Sequence, residues 1–371
     1  MTYTEIFEHL HENPELSFEE FETTAYITAI LQSEGIEILP LPLKTGLVAR
    51  VKGALPGKKI AFRADIDALP LEEQTNLPYK SKKSGKMHAC GHDIHITTGI
   101  ETARLLQKKR DELRGEVLFV FQPAEEAGDG AFEILNTGAL NGIEAIFSLH
   151  ASPLLEVGEI GIKEGAITAA VDLLKIKIIG TGCHGAQPQD GRDPIAASAA
   201  IISALQSIVA RNVSPFRQAV VSITHIEGGS NWNVIPSEVL LEGTVRTTDK
   251  ATRDLVNTRL KKIVEDVASA YDECAEVEIN AGPPATNNDA SLADYAWRTA
   301  ESCKLTPVRP EVTMVGEDFA HYQEQFPGIM VWLGVGKTAA LHNPAFTAQP
   351  KAIEVGAAYF TELILRYGSE S

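Results

Sequence analysis

The sequence predicts an α/β protein of two domains: a larger α/β domain with a mixed central sheet, discontinuous over residues 1–169 and 286–371, and an inserted ferredoxin-like α+β domain over residues 170–285. Three observations predict it. The chain, at 371 residues, exceeds what one hydrophobic core usually organises. Up to about residue 169, short apolar runs alternate with helical stretches, the pattern of a sheet covered on both faces. From about Ala170 the order becomes β-α-β-β-α-β, complete within about 115 residues, and after Gly282-Pro283-Pro284 the first pattern resumes.

Each element has a local reason. Ser17-Phe18-Glu19-Glu20 reads as a capping box opening an amphipathic helix to about Ser33, which Gly35 stops. Leu47 to Val51, Lys59 to Arg63, Glu116 to Phe121 and Ala145 to His150 read as strands, and Thr97 to Leu113 and Gly130 to Asn136 as helices. In the insert, Val171 to Ile179 alternates as a strand, and Asp193-Pro194 supplies an N-cap and first-turn proline for a helix to about Asn212. Ala219 to Glu227, Val239 to Arg246 and Ala275 to Asn280 read as strands, with Lys250 to Tyr271 a helix among them. The last segment predicts a helix from Ser291 to about Cys303, a strand near Met330 to Leu333 and a helix from Ile353 to Tyr367.

Composition narrows the function classes. A formal net charge of −17 argues against a nucleic-acid partner or an anionic membrane surface, since both need basic patches. Cys90, Cys183, Cys274 and Cys303 are few and scattered, which suits a reducing compartment better than a disulfide framework. The start MTYTEIFEHLHENPEL lacks a basic region followed by an apolar one, and Ile195 to Leu205, the most apolar run, is short and broken by serines. The expectation is a cytoplasmic protein without signal peptide or membrane span.

Chemistry concentrates in Met87-His88-Ala89-Cys90-Gly91-His92-Asp93-Ile94-His95. A thiolate and an imidazole two positions apart, with a glycine between, can reach one metal centre. The strand Glu116 to Phe121 leads into Gln122-Pro123-Ala124-Glu125-Glu126, where adjacent carboxylates diverge in extended backbone, so that one can ligate a metal while the other faces water as general base. His150 ends another apolar run and His342 lies in Leu341-His342-Asn343-Pro344; alone, each reads more readily as a structural histidine than as a ligand. His92, Glu126, His150 and His342 all fall at or near strand ends of the larger domain, where loops converge. His9, His11, His225 and His321 read as structural, while His88, Asp93 and His95 are candidates to orient ligands without assigned partners.

These residues carry a resemblance. Met87-His-Ala-Cys-Gly-His-Asp93, Arg63-Ala-Asp65-Ile-Asp67-Ala-Leu69 and Phe121-Gln-Pro-Ala-Glu-Glu126 resemble the metal-dependent amidohydrolases of N-acyl-L-amino acids, relatives of aminoacylase, hippurate hydrolase and carboxypeptidase G. His11-Glu-Asn-Pro-Glu-Leu16, Asn233-Val-Ile-Pro236, Gly243-Thr-Val-Arg246, Gly316-Glu-Asp-Phe319 and His342-Asn-Pro344 extend the likeness over the chain. Many relatives carry His-x-Asp where this chain has Arg63-Ala-Asp65, and Asp where it has Cys90, which points to a cysteine-bridged branch. The resemblance implies two divalent metal ions, zinc or manganese, bridged by Cys90, with Glu126 and His342 completing one site and His92 and His150 the other. It implies Glu125 as general base, His184 of the insert as oxyanion stabiliser, and Asn233 and Arg246 as holders of the substrate carboxylate. It further implies that the insert is a mobile lid and homodimerisation surface. N-acetyl amino acids, N-acetyldiaminopimelate and hippurate are all candidate substrates.

The rival of another class is a nicotinamide-dependent dehydrogenase, because Gly180-Thr-Gly-Cys-His-Gly185 matches G-x-G-x-x-G. The match lacks its context. Pro188, Asp190, Gly191 and Pro194 delay the helix that should open within the glycine turn.

Overall fold

The computed structural model describes residues 1–369. It divides into two compact units, one of Met1–Gly165, Asn287–Glu311 and Asp318–Ser371, the other of Ala166–Thr286 and Val312–Glu317. The second unit thus takes Val312–Glu317 out of the segment expected to lie wholly in the first. Hydrogen bonds from Thr313 N–H to the Ile167 carbonyl and from Ala169 N–H to the Val315 carbonyl make the attachment.

The first unit is built on an eight-stranded sheet, ordered Glu37–Ile38, Leu47–Lys52, Arg114–Gln122, Leu55–Asp65, Ala145–Ser152, Gly328–Gly334, Glu159–Gly161 and Thr306–Val308. The four central strands, from Arg114–Gln122 through Gly328–Gly334, run parallel, while Leu47–Lys52 and Glu159–Gly161 pair antiparallel beside them. The sheet is therefore mixed. Parallel register puts Asp65 beside Gln122 and Trp332 beside His150, so the carboxyl ends of these strands form one edge, where such folds place their sites.

Helix His92–Lys108 is buried over most of its surface, with Ile94, Ile96, Ile100, Ala103 and Leu106 in the core. Phe62, Phe119 and Phe360 form tilted and edge-on ring contacts in the same core. Each such ring, fully buried, contributes on the order of 2–3 kcal/mol. The helix starts five residues before the expected Thr97, because Gly91, in the left-handed conformation (φ 81°), opens it directly after Cys90. A Cβ at Gly91 would lie 2.7 Å from the Ala151 Cβ, so a side chain there is excluded by space as well as by backbone.

The N-terminal segment departs from expectation. Helix Tyr3–Glu12 was not foreseen, and it carries the true capping box, Thr2 with Glu5. The next helix is Phe21–Ser33, and Ser17 and Glu20 make no capping bond to it. Glu15 caps it instead, accepting from Glu22 N–H and Thr23 N–H at 3.2 and 2.8 Å.

The second unit has four antiparallel strands ordered Ala219–Gly228, Glu238–Thr247, Ala170–Ile179, Cys274–Ala281, with helices Pro194–Ser207 and Lys250–Ala270 between them in sequence. This is the split β-α-β arrangement. Leu174, Ile176 and Ile178 alternate inward against Ala197, Ile201, Leu205, Val256 and Leu260 of the helices. Contrary to the sequence reading, Pro194–Asn212 is long and apolar enough, at mean hydropathy 1.4, to cross a membrane by length and composition. Here one side of it enters the unit's core, and it ends in a π turn at Ile208–Asn212.

Candidate metal centre

The first unit gathers Cys90, His92, Glu125, Glu126, His150 and His342. Cys90 ends the loop before helix His92–Lys108, and His92 is that helix's first residue rather than part of a strand-end loop. His150 lies within strand Ala145–Ser152. Glu125 and Glu126 follow strand Arg114–Gln122, but in a 3-10 turn after a left-handed Ala124, not in the extended backbone the sequence suggested. His342 is also left-handed (φ 61°), and its N–H donates to the Ala89 carbonyl at 2.9 Å, drawing the loop onto the cysteine segment.

The donor atoms converge. Cys90 Sγ lies 3.5 Å from His150 Nε2 and 3.3 Å from His342 Nε2. Glu126 Oε1 is 3.3 Å from His342 Nε2 and 3.9 Å from His92 Nε2. Ligands at 2.0–2.3 Å around a tetrahedral ion stand about 3.3–3.8 Å apart, so these spacings suit a shared cation. Two three-residue groups, Cys90–His92–His150 and Cys90–Glu126–His342, have the cysteine in common.

Tautomers point the same way. His92 Nδ1 donates to the Asp67 carbonyl at 2.8 Å, and His150 Nδ1 donates to the Ala151 carbonyl at 2.9 Å. Each ring therefore turns its Nε2 lone pair inward. Among the described residues, His92 Nε2 and Glu126 Oε1 are buried without a hydrogen-bond partner, which a bound cation would supply.

The electrostatics ask for positive charge. Burial pushes the Cys90 thiol well up, and Glu126, Glu125 and Asp65 push it further. Burial alone would lower His92, yet Asp65, Asp67 and Glu126 hold it up at about 10. His150, where burial dominates, falls to about 4. A divalent cation inverts this balance by favouring thiolate, carboxylate and neutral imidazole together. The residues fit such a group.

Residues that the sequence left without roles support the cluster. Arg63 and Asp65 alternate at the end of an apolar strand, so period two sets them on one face, and Asp67 follows two residues beyond the strand's end. Arg63 is fully buried and donates to Asp65 (2.7 Å), Asp318 (2.6 Å) and Gln122 (2.8 Å). Asp65 also accepts from His95 Nδ1, and His95 Nε2 accepts from Ala151 N–H at 2.8 Å, tying the helix to the strand that carries His150. Asp93 pairs with His11, while His88 is buried with neither ring nitrogen bonded to any of the described residues.

His184, Asn233 and Arg246 belong to the second unit. His184 lies on the short strand Cys183–His184, exposed, opposite Val234 and next to Asn233, whose carbonyl accepts from Gly185 N–H. Arg246 is half-buried on strand Glu238–Thr247; burial lowers its pKa, and Asp172 opposes this. Gly180–Gly185 leads to this antiparallel ribbon, and the helix opens only at Pro194, so no dinucleotide turn is formed and the dehydrogenase reading falls.

A family model, Peptidase family M20/M25/M40, matches residues 61–366. The chain belongs to this family. The M20/M25/M40 member is 49% identical over 355 residues to the N-acetylcysteine deacetylase of Bacillus subtilis (strain 168), covering 95% of this chain and 93% of that one. It is 36% identical over 368 residues to an N-acetyldiaminopimelate deacetylase of Lactiplantibacillus plantarum, covering 97% and 95%. A solved Bacillus subtilis structure described as a dinuclear metal binding peptidase from the M20 family superposes with TM-score 0.91 at 44% identity, covering 100% of this chain and 98% of that one.

Proposed function

We propose that this member of the peptidase family M20/M25/M40 is a two-metal deacetylase of small N-acetyl-L-amino acids, with N-acetyl-L-cysteine the first candidate substrate. The observation that carries the reading is the donor set sharing Cys90, with the Glu125 carboxylate 4.0 Å from His92 Nε2. The choice of substrate is supported by the two relatives named N-acetylcysteine deacetylases, at 49% and 46% identity, above the N-acetyldiaminopimelate deacetylases at 36%.

Cys90 would be shared by the two cations, with Glu126 and His342 holding one and His92 and His150 the other. When bound, such cations, zinc or manganese, would supply Lewis acidity to the scissile carbonyl and to water. Glu125 takes a proton from the attacking water and delivers it to the amine nitrogen as the C–N bond breaks. The acyl carbon keeps the water oxygen and leaves as acetate, and the free amino acid departs with the proton. Arg246 and Asn233 hold the substrate carboxylate, a task the planar guanidinium fork suits, and His184 stabilises the oxyanion.

The second unit serves as lid and homodimerisation surface in this proposal. Support for the dimer is its surface: Phe216 and Trp232 are more than nine-tenths exposed, and edge strand Ala219–Gly228 adds exposed Val220 and Ile226. Mass in solution tests the dimer.

The decisive experiment is a hydrolysis panel of N-acetyl and N-benzoyl amino acids and N-acetyldiaminopimelate, run after chelation and after re-addition of zinc or manganese. Metal-restored cleavage led by N-acetyl-L-cysteine is expected. Turnover that survives complete chelation overturns the metal assignment, and preference for N-acetyldiaminopimelate overturns the substrate assignment.

A further inference from the structure

Three successive backbone amides in the turn carrying Glu125 and Glu126 each end on a buried carboxylate oxygen. Ala124 N–H donates to Glu20 Oε1 at 2.8 Å, Glu125 N–H to Asp67 Oδ1 at 3.1 Å, and Glu126 N–H to Asp67 Oδ2 at 3.0 Å. Both acids are wholly buried. Successive N–H groups around a left-handed residue form a concavity that attracts anions, and here the protein fills it with its own side chains.

The turn has little freedom to settle elsewhere. Ala124 holds φ 53° without being glycine, a conformation that needs support from its surroundings. On one side a Cβ at Gly46 would lie 2.6 Å from Pro123 Cδ, and on the other a Cβ at Gly130 would lie 1.7 Å from the Pro123 carbonyl oxygen. The acids are themselves anchored. Ser17 Oγ donates to Asp67 Oδ2 at 2.7 Å, Ala68 N–H donates to the Glu15 carbonyl at 2.8 Å, and the Asp67 carbonyl accepts from His92 Nδ1. The segment between the first two helices thus latches onto the turn, which explains why the side chains of Ser17 and Glu20, cap-like in sequence, make no capping bond.

We infer that Glu20 and Asp67 are positioning residues, which hold the amides of Ala124, Glu125 and Glu126 and thereby aim the base and the ligand at their work. The inference rests on the roles proposed above for Glu125 and Glu126. Glu20 reaches the turn through the Ala124 amide.

The test compares Glu20→Met, which fills the same volume without an acceptor, with Glu20→Gln, whose amide oxygen can still accept from Ala124 N–H. Kinetics are measured on folded protein at saturating manganese with the acetylated amino acid that is cleaved fastest. Displacing a reacting group by about 1 Å costs up to about 100-fold, so Glu20→Met should lower kcat at least about 10-fold with KM within about twofold of wild type. Glu20→Gln should recover to within about threefold of wild type. Wild-type kcat in Glu20→Met, a loss confined to KM, or no recovery in Glu20→Gln overturns the inference. Should Glu20→Met not fold, Asp67→Asn carries the same prediction, since its amide nitrogen would face an N–H donor: kcat falls at steady KM, and an unchanged kcat overturns it. Glu125→Gln run alongside separates the two levels. Turnover surviving there refutes Glu125 as base, whereas turnover lost there but intact in Glu20→Met refutes only the positioning role.

Discussion

Replacing His11 by glutamine should remove a pH-dependent part of the first unit's stability. His11 is 3% exposed, with Nδ1 2.6 Å from Asp93 Oδ2 and Nε2 3.4 Å from Glu73 Oε1. Phe7 and Tyr79 pack on its ring, and buried His88 nearby, kept neutral mainly by burial with its pKa near 4, adds no positive charge against it. Burial works against a charged His11, but Asp93 and Glu73 overcome it and raise the pKa from 6.5 to about 9. A raised folded-state value means that the stabilisation is complete below the unfolded value of 6.5 and is lost as pH climbs through 9. The rise is worth about 3 kcal/mol. The lowered values of Asp93 and Glu73 express the same interaction and are not added to it. Urea unfolding of wild type and His11→Gln at about pH 6 and about pH 9.5 measures the effect. Both proteins should carry Trp232→Phe, which removes a 94% exposed reporter and leaves Trp297 and Trp332 of the first unit to report. The wild-type advantage should shrink by about 3 kcal/mol between the two conditions. An advantage constant with pH, or one that grows, refutes the reasoning.

Glu125→Gln should keep both metals by elemental analysis while kcat falls at least about 100-fold, because in the proposed mechanism it removes the base and no ligand. Cys90→Ala should lower bound metal below two per chain, measured the same way; an unchanged stoichiometry counts against bridging. Arg63→Met leaves Asp65 and Asp318 buried without their guanidinium and should cost about 3–5 kcal/mol in unfolding of the first unit. In the second unit Arg253 grips buried Asp172, so Arg253→Met should cost a comparable amount there, about 3 kcal/mol, while the first unit's transition stays in place.

The parallel core of the fold was legible because Phe119, Phe121, Phe147 and their neighbours form short apolar runs that only a doubly covered sheet buries. Strands Glu37–Ile38, Glu159–Gly161 and Thr306–Val308 were not, since two or three residues show no period. The start of the central helix was misplaced because Gly91 and three histidines read as loop, and because Thr97, Thr98 and Thr102 blur its apolar pattern. In the fold those threonines are buried, and Thr97 and Thr102 donate to carbonyls one turn back. At the site, Cys90 and His92 stood out by residue type and spacing, whereas Glu126, His150 and His342 joined them only through the strand ends they share and the family resemblance. Glu20 did not, because its partner is a backbone amide 104 positions away, and no local pattern encodes that.

The arrangement of charge explains why cations would enter at one place and not beside it. Arg63 and His95 already satisfy Asp65, and Arg63 with Gln122 satisfies Asp318, so these acids are neutralised from within the fold. Asp67 is occupied by two amides and a hydroxyl. One layer further in, His92 and His150 have their outer nitrogens fixed and their inner ones facing Cys90 and Glu126, a thiol and a carboxylate with no guanidinium or ammonium among their ion pairs or hydrogen bonds within the described residues. A buried acid that the protein neutralises is a support, whereas one left to imidazoles and a thiol is a ligand. On that criterion the run Arg63-Ala-Asp65-Ile-Asp67 and the cluster Cys90-Gly-His92 form two halves of one proposed device: the first sets the frame, and the second would leave the positive charge to be supplied by metal.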